Sequence, residues 1–227
     1  MKVTSSSQNN TFLRLKPNTF TSICSVIADE ANDDMGNYTA QIEFSVLEAI
    51  RFCERDHYWF NETRDMIFQT IDKQPVYQAS TVPVLKNIIR ITDAFCYDGA
   101  GVNRKLVRID PADKDSVPSY GIPASYSYLD KTIRLFPIPS GGPYQIRLIV
   151  SPLRLKSIEN PNELYPWFEE ACDMIKARAK YLLYKNYIKD ADLAAEANND
   201  FIEQRNVLRA ETSKRLATGR IKATRSY

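Results

Sequence analysis

The feature that most constrains this chain is a change in apolar period, made twice. Up to about residue 60 the apolar side chains recur at helical spacing. From 61 to 152 they fall in short β-branched or aromatic runs, and after 166 the helical spacing returns. Nine of the 12 prolines lie between Pro75 and Pro152, which suits edge strands and connecting loops and excludes long helices there. The order helices, strands, helices predicts an α+β fold. A helical bundle is interrupted by an inserted antiparallel β module, and a flexible basic C-terminal arm follows. The expected parts are an N-terminal extension (1–18), a helical part (19–60), the β module (61–152), a second helical part completing the bundle (153–211) and the arm (212–227).

In the first helical part, Phe20, Ile23, Ile27 and Ala31 predict a helix over 19–32, capped by Asn18 or Thr19. Ile42, Val46, Ala49, Ile50 and Cys53 predict a second over 38–55. Phe44 and Leu47 stand about 200° and about 140° from Ile42 around that helix. It therefore shows apolar groups on more than one side, and these two residues are candidates for a subunit interface. Six strands are expected: 66–71, 88–92, 105–109, 125–129, 132–136 and 144–150, with turns at Asp98-Gly99, Asp110-Pro111, Asp130-Lys131 and Gly141-Gly142. Beyond them, Phe168, Ala171, Cys172, Ile175, Ala179 and Leu182 predict one helix over 166–187 with Pro166 in its first turn. Asp190 caps a last helix whose stripe, Leu193, Ala197, Phe201 and Leu208, is thin. Such a helix needs a partner, which makes Phe201 and Leu208 further interface candidates.

Charge is distributed unevenly. The net value is only +2, but no acid follows Glu211, whereas Lys214, Arg215, Arg220, Lys222 and Arg225 do. Setting those five aside leaves 25 basic residues against 28 acidic ones, about −3 for the rest of the chain. The last 16 residues, with Thr218, Gly219 and Thr224, make a poor independent helix and read either as a solvated, frayed terminus or as an arm that orders on an acidic protein surface or on nucleic acid. Aromatic interleaving is lacking apart from Tyr227, so base stacking is not favoured.

Chemistry-bearing motifs are scarce. His57 is the sole imidazole and sits at a helix end. There is no nucleophile elbow, phosphate loop or dinucleotide fingerprint. Cys24, Cys53, Cys96 and Cys172 are far apart in apolar runs and read as buried free thiols, not zinc ligands. Carboxylate pairs such as Glu62 with Asp65, or Glu169 with Glu170, leave a cell-wall hydrolase as one alternative. A nucleic-acid-binding module using the arm is another. No run approaches a membrane-spanning length, and the polar amino terminus lacks an apolar signal core, so synthesis in the cytoplasm is expected. Neither a catalytic residue nor a metal or other cofactor is expected.

Taken in order, Ala49-Ile50, Tyr58-Trp59-Phe60-Asn61-Glu62, Phe68-Gln69-Thr70, Gln74-Pro75-Val76-Tyr77 and Pro123-Ala124-Ser125-Tyr126-Ser127 form a recognisable series. Ile133-Arg134-Leu135-Phe136-Pro137-Ile138-Pro139, the run 144–150, Leu164-Tyr165-Pro166-Trp167 and Lys180-Tyr181-Leu182 continue it. Over 19–187 the chain resembles the head-to-tail adaptor (connector) proteins of tailed bacteriophages, particularly the short-tailed type. It departs from them at Val82-Pro83-Val84-Leu85, where such proteins often carry an acidic turn. The resemblance implies a structural virion protein at the head-to-tail interface. It would form a ring, commonly of twelve copies, under the portal protein, extend the channel through which packaged DNA passes, and dock tail or nozzle proteins. Lys214, Arg215, Arg220, Lys222 and Arg225 would then be portal-binding residues.

Overall fold

The computed structural model describes residues 18–99, 101–110, 119–155 and 158–218. Helix α1 (Phe20–Glu30) begins where Thr19 and Ser22 cap each other reciprocally, each side chain accepting from the other's backbone N–H. Helix α2 (Thr39–Cys53) buries Ile42, Val46, Ala49, Ile50 and Cys53, the face expected from their spacing. The single helix expected over 166–187 is divided. A short α3 (Pro166–Glu170) gives way at Ala171, whose φ of −129° leaves the helical region, to α4 (Cys172–Leu183) and a π-type turn (Tyr184–Ile188). The offset turns Trp167 inward, where it stands edge-on to Tyr58 and Phe60 with ring centroids 5.9 and 5.0 Å away.

The last helix, α5 (Ala191–Thr218), is 28 residues long, about 42 Å. Asp190 caps it, its Oδ1 accepting from the N–H groups of Asp192 and Leu193 at 3.0 Å each. The expectation of a thin stripe needing a foreign partner is corrected here, because α5 buries Ala194, Ala197, Phe201, Leu208 and Thr212 within its own chain. Alanines let helix axes approach closely, and Thr212 donates its hydroxyl to the Leu208 carbonyl at 2.8 Å, so its burial leaves no polar group unpaired. Leu193, expected on the stripe, is exposed. Both helical stretches contribute to one core: Ile23, Ile42, Tyr58, Trp167, Phe168, Met174, Ile175 and Phe201 belong to a single buried cluster.

The strands form a second core. β1 (Thr63–Gln69), β2 (Val76–Gln78), β3 (Ile91–Tyr97), β4 (Asn103–Arg108), β6 (Ser125–Leu129), β7 (Thr132–Phe136) and β9 (Gln145–Val150) build one seven-stranded sheet, and β5 (Tyr120–Gly121) pairs with β8 (Ile138–Pro139). The sheet order is β1-β9-β3-β4-β6-β7-β2. Although β1 and β2 lie at its two ends, Phe68 and Tyr77 meet at 5.2 Å and Tyr77 Oη accepts from the Ile71 N–H at 3.0 Å. The sheet is therefore rolled upon itself around Leu106, Ile133, Leu135, Ile146 and Leu148. The module is not wholly antiparallel, since β4 pairs with β6, and β5 with β8, in parallel. Three strands exceed the expected six because each is only two or three residues long, too short for alternation to show. Where an acidic turn was lacking, Pro83–Asn87 forms a 3₁₀ turn that buries Leu85.

Candidate assembly surfaces

Segment 54–62, between α2 and β1, is where the helical core meets the end of α5. Asp56 accepts from Arg205 Nε at 2.9 Å and Arg209 NH2 at 3.1 Å, and its Oδ2 lies 2.8 Å from Arg205 NH2. Burial alone would raise the Asp56 carboxyl, but the two guanidiniums outweigh it and hold it below the ordinary aspartate value of 3.8. Ten residues past Arg205, the Arg215 guanidinium lies 4.1 Å over the Trp59 ring while its NH2 meets Glu211 Oε1 at 2.6 Å. Replacing Asp56 with asparagine is expected to destabilise the protein by about 1–2 kcal/mol at neutral pH. Because the folded carboxyl titrates below its unfolded value, that stability is present above 3.8 and lost as pH falls through the folded value. The gap between wild type and variant, read from urea melts, should therefore narrow on acidification below about pH 4.

This latch corrects the expected arm. Residues 212–218 are the last two turns of α5, held by Thr212 burial, the Glu211–Arg215 pair and the Trp59 face. Lys214 and Arg215 are thus helical and fixed in position. Arg220, Lys222 and Arg225 lie outside the described residues. Of the four interface candidates, the structure separates two from two. Phe44 is 52% exposed and Leu47 half-buried on α2, whereas Phe201 and Leu208 are 3% and 8% exposed inside the chain's own core. The Phe201 ring is edge-on to Phe52 at 6.0 Å, with the Arg178 guanidinium 5.2 Å from its centroid.

Among the described residues, the two carboxylates of the Glu62–Asp65 pair have different partners. His57 Nε2 lies 3.3 Å from Glu62 Oε2 but off hydrogen-bond geometry. Asp65 points away to an ion pair with Arg147 at 2.9 Å. All four cysteines are free. Burial pushes the thiols of Cys24 and Cys53 up to about 12 and that of Cys96 up to about 11, and also raises Cys172, so they stay protonated. Among the described residues there is no cluster of potential metal ligands, and no helix is long and apolar enough to cross a membrane.

A basic-rimmed groove of about 720 Å³ lies where the C-terminal half of α2 faces the β module. Leu47, Ile50, Ile89, Leu155 and Ile158 supply its apolar lining, and Arg51, Arg55 and Arg154 its cations. Glu54, also in the lining, accepts from the Leu155 N–H at 3.1 Å. Burial raises its pKa, opposed by that bond and by Arg154.

A family model described as SU10 adaptor protein matches residues 18–223, which spans both the bundle and the rolled sheet. The chain belongs to the SU10 adaptor protein family. No curated protein matches it. As a phage adaptor it is a structural virion protein. Membership implies contacts with portal and tail components. The latch on Asp56 and Trp59 was not anticipated from the sequence. Its one legible sign in this adaptor is the i, i+4 spacing of Arg205 and Arg209 on a single face of α5.

Proposed function

We propose that this adaptor serves a short-tailed phage and assembles as a ring, of twelve copies as the resemblance implies, beneath the portal. The ring extends the DNA channel and offers docking surface to tail or nozzle proteins. The basic stretch from Lys214 through Arg215, Arg220, Lys222 and Arg225 anchors each copy to acidic surface on the portal. The observation that carries this reading is the latched end of α5. Arg205, Arg209 and Arg215 hold the helix to Asp56 and Trp59, so α5 ends at Thr218 in a fixed position, and Arg220, Lys222 and Arg225 follow it in the sequence. With Lys214 and Arg215 in α5, residues 1–218 hold 27 basic against 28 acidic side chains, about −1, so a ring of such bodies has no net cationic excess with which to retain DNA tightly. Lateral contact falls to α2, where Phe44 and Leu47 remain available.

Electron microscopy of the purified protein mixed with portal-bearing particles tests the proposal. A closed ring of density below the portal is the expected result. Portals that stay bare at saturating protein concentration would rule it out.

A further inference from the structure

The turn between α1 and α2 displays an apolar knob on a rigid base. Met35 is 87% exposed, the highest value among the large apolar side chains described. Its surroundings are nevertheless well ordered by bonding. The nearly buried Asp33 carboxylate accepts from the Asn37 N–H at 2.7 Å and the Tyr38 N–H at 2.8 Å, at the entrance to α2. Gly36 takes φ +68°, and a Cβ there would stand 3.2 Å from Thr39 Oγ1, so the backbone path is specific. Asp34 directly precedes Met35 and Asp29 lies in the last turn of α1, both exposed. Because the backbone of the turn is held before docking, only the methionine's own rotamers remain to be ordered.

Its complement is the groove at the other end of α2, lined by Leu47, Ile89, Leu155 and Ile158 and by three arginines, Arg51, Arg55 and Arg154, against the single carboxylate Glu54, with Glu48 pairing Arg51 at 2.8 Å. From Thr39 to Ile50 the helix rises roughly 17 Å, so Met35 cannot reach the groove of its own chain. The terminal segments 1–17 and 219–227 contain lysines and arginines and no acid, and so do not match an arginine rim.

We propose that the Met35 turn of one copy inserts into the Leu47–Ile158 groove of the next, with Asp29 and Asp34 facing Arg51, Arg55 and Arg154. Knob and groove are different surfaces, so the contact is head-to-tail and propagates from copy to copy until a ring closes. Leu47 lies in the groove, and Phe44 one turn before it extends the same side of α2. The inference rests on the ring reading and names the surfaces that make it.

The test uses the full chain carrying both Met35→Cys and Arg51→Cys, assembled on portal-bearing particles and treated with a short bis-maleimide. The double variant is expected to give a covalent ladder running past the dimer. Each single variant and the wild type should stay monomeric, because the native thiols are held protonated. A ladder that stops at the dimer in Met35→Cys alone would show a two-fold contact and overturn the proposal. So would no ladder in the double variant on particles where microscopy shows a ring, which leaves the ring reading standing. Absence of a ring with wild-type protein would remove both. Independently, Met35→Lys should weaken assembly about tenfold and Met35→Leu hardly at all, with unchanged circular dichroism in each. Equal assembly by Met35→Lys and wild type would also overturn the docking.

Discussion

Truncating Phe201 to alanine is expected to destabilise the isolated subunit by about 3–5 kcal/mol, the range for removing a buried aromatic ring from a packed core. The ring is 3% exposed and stands at the junction of three helices, edge-on to Phe52 of α2 and beneath the Arg178 guanidinium of α4. Two losses add in the variant. The ring's own transfer and dispersion energy disappears, and Arg178 loses one of the three faces, Phe52, Tyr181 and Phe201, that surround it. The second loss matters because Arg178 Nε is buried without a hydrogen-bond partner, so the aromatic faces are what compensate its desolvation. Chemical denaturation at two protein concentrations, tenfold apart, checks the placement. A drop in the urea midpoint that is the same at both concentrations marks an intramolecular core residue. A midpoint that changes only in the concentrated sample would mark a residue of a subunit interface instead.

The same residue shows how far sequence patterns reach. The spacing of Ala197, Phe201 and Leu208 identified an apolar stripe on α5, and all three are buried. Periodicity reports that a face avoids water; it does not report whose surface covers it, and the thin stripe suggested another chain. What closes the contact is the small size of Ala194 and Ala197, together with Thr212 bonding back to its own helix, and an apolar count registers neither side-chain size nor a satisfied hydroxyl. The β6–β7 hairpin was legible to the residue, because Asp130 and Lys131 both adopt positive φ, 42° and 59°, and a two-residue turn of that kind sets the register Leu129↔Thr132. β2, β5 and β8 were not, since each depends on a distant neighbour for its pairing. Likewise the partners of Asp56 lie 149 and 153 residues away, and only the fold brings them together. The free, protonated cysteines followed from their apolar contexts, because burial acts on a thiol whatever the topology.

Removing residues 219–227 is expected to leave the subunit folded and to weaken its attachment to portal-bearing particles by about ten- to hundredfold at low salt. The deletion takes away Arg220, Lys222 and Arg225. An exposed charge pair contributes about 0.2–1 kcal/mol, so three together give a loss of that order. The difference from wild type should shrink as ionic strength rises, because these contacts are screened over about 10 Å at 0.1 M salt. The cut must fall after Thr218. A chain ending at Glu211 would also lose buried Thr212 and the Arg215–Trp59 contact, and a weakened bundle would imitate a lost anchor. Comparing the two truncations separates these effects. The shorter chain should melt earlier as well as attach poorly, whereas the chain ending at Thr218 should melt like wild type and differ in attachment alone. Salt-independent, wild-type attachment by the chain ending at Thr218 would show that residues 219–227 do not anchor the adaptor.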